Sequence, residues 1–120
     1  MLFGTDGIRG RYGDEVTTDL AYRLGRAVAE VFAPTPEAPV VVGYDTRESS
    51  PALAAAVLAG LADGGAPGVD LGVFTTPGVA VIARGRGGVG VVVSASHNPF
   101  HDNGLKVLGP GGGKLDHATE

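Results

Sequence analysis

The chain has no cysteine, no tryptophan and a single methionine. Without cysteine there are no disulfides, no thiolate metal sites and no cysteine nucleophile, and the redox compartment goes unmarked. A basic excess is also missing. Nine Lys and Arg against 13 Asp and Glu give a formal net charge of −4, so the chain lacks the electrostatic footprint that nucleic acid or an anionic membrane surface requires. No apolar run approaches the ~18–20 residues of a membrane span. The opening Met1-Leu2-Phe3-Gly4-Thr5-Asp6-Gly7 has neither the basic nor the apolar region of a secretory signal. A cytoplasmic location is the expectation, with neither nucleic acid nor membrane as partner.

What the chain does have is glycine between valine-rich runs. Of its 120 residues 21 are Gly and 8 Pro, yet 43% are hydrophobic, enough to build a core with many tight turns. The length suits one domain of about 100–150 residues. Residues 1–16 read as turns, notably Thr5-Asp6-Gly7 and Gly13-Asp14. Leu20, Ala21, Leu24, Ala27, Val28, Val31 and Phe32 then recur at helical spacing, with Thr17 or Thr18 as cap, Asp19 in the first turn and Pro34 as stop. Val40–Tyr44 reads as a strand buried on both faces. A second helix, with Pro51 in its first turn, runs to Asp63 and stops at Gly64-Gly65.

Val69–Phe74 reads as a strand, and Thr75 or Thr76 with Pro77 opens a third helix to about Arg84. Val89–Val93 follows as a strand, then a polar loop from Ser94 to Gly104, the strand Leu105–Leu108 and a turn at 109–113. This alternation predicts a three-layer α/β/α domain with a mixed, largely parallel sheet. Ligands of such sheets gather beyond the carboxyl ends of the strands, which directs attention to the loops after Tyr44 and Val93.

Two glycine patterns fail as nucleotide signatures. Gly85-Arg86-Gly87-Gly88-Val89-Gly90 matches G-x-G-x-x-G but ends a helix and precedes a strand, the reverse of the dinucleotide context. The run Gly109 to Leu115 is one residue short of a P-loop, and Leu115 stands where a metal-binding hydroxyl is needed.

The stretch Ser94-Ala95-Ser96-His97-Asn98-Pro99-Phe100-His101-Asp102-Asn103-Gly104-Leu105-Lys106 is of another kind. It gathers hydroxyls, imidazoles, a carboxylate, carboxamides and an amine directly after a strand. A Ser96–His97 hydrolase pair is disfavoured, because neighbours in extended chain point to opposite sides and no G-x-S-x-G elbow surrounds Ser96. A serine carrying a phosphoryl group fits better. Its charge of about −2 calls for the donors and cations that His97, Lys106 and loop amides supply.

Together with Phe3-Gly4-Thr5-Asp6-Gly7-Ile8-Arg9-Gly10 and Gly43-Tyr44-Asp45-Thr46-Arg47, this stretch resembles the first domain of the α-D-phosphohexomutases over essentially all 120 residues. Ser94-Ala95 and Phe100 favour the phosphoglucosamine mutase branch over phosphomannomutases and phosphoglucomutases. The resemblance implies an isomerase that interconverts glucosamine 6-phosphate and glucosamine 1-phosphate, for cell-wall amino sugars, through a sugar bisphosphate. It places the phosphoryl group on Ser96, a proton-transfer role on Lys106 and a phosphate contact on Arg9, with His97 supporting the site. It implies Mg2+, with an oxygen of the Ser96 phosphate among its ligands. Asp45 and Arg47 are expected to order their loop, and Asp102 and Asn103 to hold theirs. His101 stands at a variable position of the family and takes no role.

The family draws three metal-binding carboxylates from an Asp-Gly-Asp-x-Asp-Arg loop in its second domain, and no such run occurs here. Residues 1–120 are thus expected to be the phosphoserine-bearing domain alone, inactive without the metal-, sugar- and phosphate-binding domains. Its partners would be a phosphosugar and those domains. The alternative from a different class is a non-catalytic phosphate-binding or scaffolding module.

Overall fold

The computed structural model describes residues 8–14, 16–32, 34–35, 38–86, 88–94 and 102–109, with backbone alone at Ile8, Arg9, Arg84 and Arg86. Its elements run β1 (Ile8–Arg11), α1 (Thr18–Phe32), β2 (Val40–Tyr44), α2 (Ser50–Asp63), β3 (Gly68–Val73), α3 (Thr76–Arg86), β4 (Gly90–Val93) and β5 (Asp102–Leu108). The strands form a single sheet in the order β1-β5-β4-β2-β3. β2 pairs parallel with both β3 and β4, while β5 pairs antiparallel with β4 and β1. The α/β class and the mixed sheet are as the sequence predicts, with parallel pairing in the β3-β2-β4 half.

Local chemistry sets the helix ends. The Thr17 hydroxyl accepts from the Leu20 amide at 3.1 Å and caps α1. Gly64 and Gly65 end α2, the Gly65 amide donating to Ala62 O and the Ala66 amide to Leu61 O, with Gly65 at φ 78°. The Thr75 hydroxyl accepts from the Gly78 amide at 3.0 Å and caps α3.

Alternation along the strands divides the core between the two faces. Val40, Val42, Val91, Val93, Leu105 and Val107 pack with α1 and α2. Val41, Val92 and Leu108 face Val79 and Ala83 of α3. The apolar face expected of α1 is rotated. Val31 is 61% exposed, whereas Gly25 and Ala29 are buried. The cause is the crossing of α1 over α2, where Ala21, Gly25 and Ala29 present a row of small residues. A Cβ built on Gly25 would lie 2.2 Å from Val57 O, and one on Gly60 2.1 Å from Tyr22 O. Only glycine permits that backbone approach.

Two expectations at the sheet edge are corrected. Residues 8–11 are a strand and not part of a turn, and β5 begins at Asp102, so the polar loop ends earlier than Gly104. Ile-Arg-Gly-Arg has no strand pattern, and Asp-Asn-Gly is turn chemistry. Each is extended because it pairs with the other, in the register Ile8↔Leu105, Arg9↔Gly104, Gly10↔Asn103 and Arg11↔Asp102.

Replacing a helix-interior Gly by Ala on open surface stabilises by up to about 1 kcal/mol. At Gly60 the contact with Tyr22 O reverses the sign. Gly60→Ala is expected to lose about 2–3 kcal/mol in urea denaturation, while Ala59→Ser on the exposed side of α2 stays within about 0.5 kcal/mol of the parent. A stabilised Gly60→Ala would refute the close crossing.

Candidate active site

The order in which strands are added reverses around β2. The α2 crossover carries the chain to β3 on one side, and the α3 crossover returns it to β4 on the other. Such a switch point opens a crevice at the carboxyl ends of the strands. A cleft of about 560 Å³ lies there, lined by Asp45 and Thr46 after β2, Val73, Phe74 and Thr75 at the end of β3, Thr76 and Gly78 of α3, and Ser94 after β4. The loops after Tyr44 and Val93 are the two that the sequence singled out. The contribution from the end of β3 was not foreseen, because Thr75-Thr76-Pro77 reads simply as a helix start.

Behind the cleft a hydrogen-bonded cluster joins the loop after β2 to both ends of the segment between β4 and β5. Asp45 is its hub. Its Oδ2 accepts from Arg47 Nε at 2.9 Å, and its Oδ1 accepts from the Arg47 amide at 3.1 Å and from Ser50 Oγ at 2.5 Å. The Ser94 side chain also hydrogen-bonds to this carboxylate. Arg47 Nη1 reaches the Asp102 carbonyl at 3.4 Å. Asn103 is fully buried; its Nδ2 donates to Ser49 Oγ at 2.8 Å and Ser50 Oγ at 3.0 Å, and its Oδ1 accepts from the Gly104 amide at 2.9 Å. The Ser94 amide donates to the Gly104 carbonyl at 3.0 Å, extending the β4–β5 ladder by one rung.

Burial pushes the Asp45 carboxyl up, but hydrogen bonds from Ser50, the Arg47 amide, Ser94 and the Arg47 side chain outweigh it and hold the group below its ordinary range. Asp45 and Arg47 therefore order their loop as expected, and Asn103 holds the start of β5. Ser49 and Ser50 were missed. A Ser-Ser-Pro run reads as a helix cap, yet Ser49 makes no side-chain capping bond to α2 and accepts from Asn103 instead. Only a fold that brings together residues more than fifty positions apart gives these hydroxyls their partner.

Of the four site residues expected from sequence, Ser96 and His97 lie outside the described residues, as does His101. Lys106 is half-buried in β5 opposite Val92, and so on the sheet face that α3 covers. Arg9 is in β1 with its backbone opposite Gly104. Arg9 and Lys106 thus fall on adjacent strands, and Ser94 directly follows the next one, β4. Among the described residues no three His, Cys, Asp or Glu side chains converge on a possible metal position, so these residues do not form a metal site by themselves. No helix among them is long and apolar enough to cross a membrane.

Residues 1–120 match the family model for phosphoglucomutase/phosphomannomutase, alpha/beta/alpha domain I. The chain belongs to this family. Among its relatives, the phosphoglucosamine mutase of Deinococcus radiodurans is 52% identical over 121 residues, covering 98% of this chain and 27% of the relative. The phosphoglucosamine mutase of Hyphomonas neptunium is 51% identical over 122 residues, covering 100% of this chain and 27% of its own. A solved structure from Thermus thermophilus, assigned as a candidate phosphomannomutase, superposes with a TM-score of 0.87 at 32% identity, over 99% of this chain and 28% of that one. This domain I therefore spans about 27% of the length of the curated relatives it matches.

The lowered Asp45 pKa has a signed consequence. Its stabilisation is present above the ordinary carboxylate value of about 4 and is lost as pH falls through the folded-state value. The stability gap between the parent and Asp45→Asn is expected to be widest near neutrality and to narrow as pH falls below the ordinary carboxylate range. Urea denaturation across that range checks this; a gap constant with pH would contradict it.

Proposed function

We propose that this chain is the phosphoserine-bearing first domain of a phosphoglucosamine mutase, which interconverts glucosamine 6-phosphate and glucosamine 1-phosphate. The observation that carries this reading is the 52% identity to a phosphoglucosamine mutase, against 32% to the Thermus candidate phosphomannomutase. The resemblance of Ser94-Ala95-Ser96-His97-Asn98-Pro99 to the family's phosphoserine motif supports the site. The cleft supports it as well. Ser96 follows Ser94 by two residues, a tether of at most about 7 Å, and Ser94 lines the cleft.

In the proposed reaction the sugar 1-hydroxyl attacks phosphorus on phospho-Ser96. An O–P bond to the sugar forms as the Ser96 Oγ–P bond breaks, and the hydroxyl proton passes to the leaving Ser96 oxygen. Lys106 moves that proton, on the face where it stands beside the β4 ladder. The resulting bisphosphate reorients and returns its 6-phosphoryl group to Ser96, leaving the 1-phosphate. Arg9 grips the non-transferring phosphate with its planar fork, and His97 hydrogen-bonds within the loop. The end of α3 that faces the cleft is the positive end of its dipole, which suits a doubly phosphorylated ligand.

Mg2+ is the proposed metal, and when bound it neutralises charge on the transferring group. A Ser96 phosphate oxygen would be one ligand. The carboxylates would come from the second domain that the family resemblance implies, as would the remaining sugar and phosphate contacts from later domains. The reading includes a cytoplasmic location and no turnover by residues 1–120 alone.

In the full-length protein, Ser96→Ala is expected to abolish mutase turnover while the thermal transition is retained. A panel of glucosamine, glucose and mannose 6-phosphates should show glucosamine 6-phosphate with the highest kcat/KM. Full turnover by Ser96→Ala would remove Ser96 from the mechanism, and a preference for mannose or glucose would move the protein to the neighbouring branch. Titration calorimetry of residues 1–120 with Mg2+ is expected to show only weak binding; a tight stoichiometric site would contradict the shared-ligand reading.

A further inference from the structure

Asn103 is a polar side chain with no exposure, in a strand whose neighbours at Leu105 and Val107 are core. A carboxamide there costs stability unless its groups are satisfied, and an aliphatic residue of similar volume would have served a purely structural strand. Its bonds run in one direction. Nδ2 of Asn103 donates to Ser50 Oγ, and Ser50, also fully buried, donates its own proton to Asp45 Oδ1. The ionised carboxylate only accepts, so it holds the Ser50 proton, and the Ser50 oxygen is left to receive from Asn103. Asp45 also receives Ser94, the residue that directly follows β4. Arg47 adds a parallel tie from Asp45 to the Asp102 carbonyl. Both ends of the Ser94-to-Asp102 segment are thus referenced to one carboxylate.

We infer that Asn103 and Ser50 are positioning residues for phosphoryl transfer, acting through Asp45 to fix both ends of the phosphoserine segment relative to the cleft. This deepens the function proposed above and rests on it. The work of the three is to hold Ser96 at the distance and angle the attack needs, and misplacement by about 1 Å costs on the order of 100-fold in rate.

The variant that isolates this role is Asn103→Asp in the full-length protein. It keeps the size and the acceptor for the Gly104 amide but removes the donor to both serines, and it sets a second acceptor competing for the Ser50 proton. The readout is the single-turnover rate constant for transfer from phospho-Ser96 to glucosamine 6-phosphate, per mole of phosphoserine found by intact mass. A loss of folded protein leaves that constant unchanged, whereas a misplaced phosphoserine lowers it. Asn103→Asp is expected to lower it about 10- to 100-fold, with KM changed less than about threefold. Ser50→Ala should behave likewise, and Ser50→Thr, which retains the hydroxyl, should recover most of the rate.

If Asn103→Asp does not fold, Ser49→Ala carries the test. It removes one of the two acceptors of Asn103 and is expected to lower the constant about 3- to 10-fold. Normal single-turnover constants in folded Asn103→Asp and Ser50→Ala, or in Ser49→Ala where those fail to fold, overturn the inference. The parent and Ser96→Ala are run alongside. A parent that forms no phosphoenzyme, or an active Ser96→Ala, refutes the phosphoserine reading itself; an active parent with an inert Ser96→Ala and unaffected positioning variants refutes only the present inference.

Discussion

The Asp45 carboxylate is the constraint on which the functional end of this domain depends. It directly follows β2, the strand about which the order of strand addition reverses, and it is the meeting point of three backbone segments. Ser50 reaches it from the start of α2, Arg47 from its own loop and Ser94 from the end of β4. A carboxylate can accept at several lone-pair positions at once, and a charged acceptor makes stronger bonds than a neutral one. The Asp45 side chain is 27% exposed and the Arg47 side chain 11%, so the pair escapes the screening that makes surface ion pairs nearly worthless.

The rest of the architecture serves to bring those segments together. The close crossing at Gly25 and Gly60 seats α1 tightly against α2, and the N-terminal end of α2 presents Ser49 and Ser50 to Asn103. On the opposite face α3 packs Val79 and Ala83 on Val41 and Val92 and delivers Thr75, Thr76 and Gly78 to the cleft. The antiparallel addition of β5 sets Lys106 alongside β4, and β1 then adds Arg9 on the outer side of β5. A domain with this layout gathers Asp45, Thr75 and Ser94 at one rim, and relatives nearly four times its length have room for groups that would complete a site around it.

Most of the fold was legible because punctuation is local. Thr17, Pro34, Pro51 and Gly64-Gly65 bracket the first two helices within a residue or so, and Val40–Tyr44 and Gly90–Val93 are strands too short and apolar to be anything else. What was not legible depends on partners distant in sequence. Residues 8–11 and 102–104 carry turn and loop chemistry, and become strands because they pair with each other across almost the whole chain. The site divides in the same way. Asp45 and Arg47 are two residues apart, and their pairing follows from spacing alone. The Ser50–Asn103 bond joins residues 53 apart, and no local pattern at either end reports it. Periodicity assigns Val31 to the core, but the small-residue row of α1 turns that face toward α2 and leaves Val31 in solvent.

Ser96 as the phosphoryl carrier is the claim on which the chemistry turns, and it is tested most directly by locating the phosphate. The full-length protein would be charged with glucose 1,6-bisphosphate, digested and sequenced by fragmentation mass spectrometry. A single phosphate on Ser96, lost when glucosamine 6-phosphate is added, is the predicted result. A phosphate on Ser94, or no phosphoserine between β4 and β5 in a protein that turns over substrate, would contradict it.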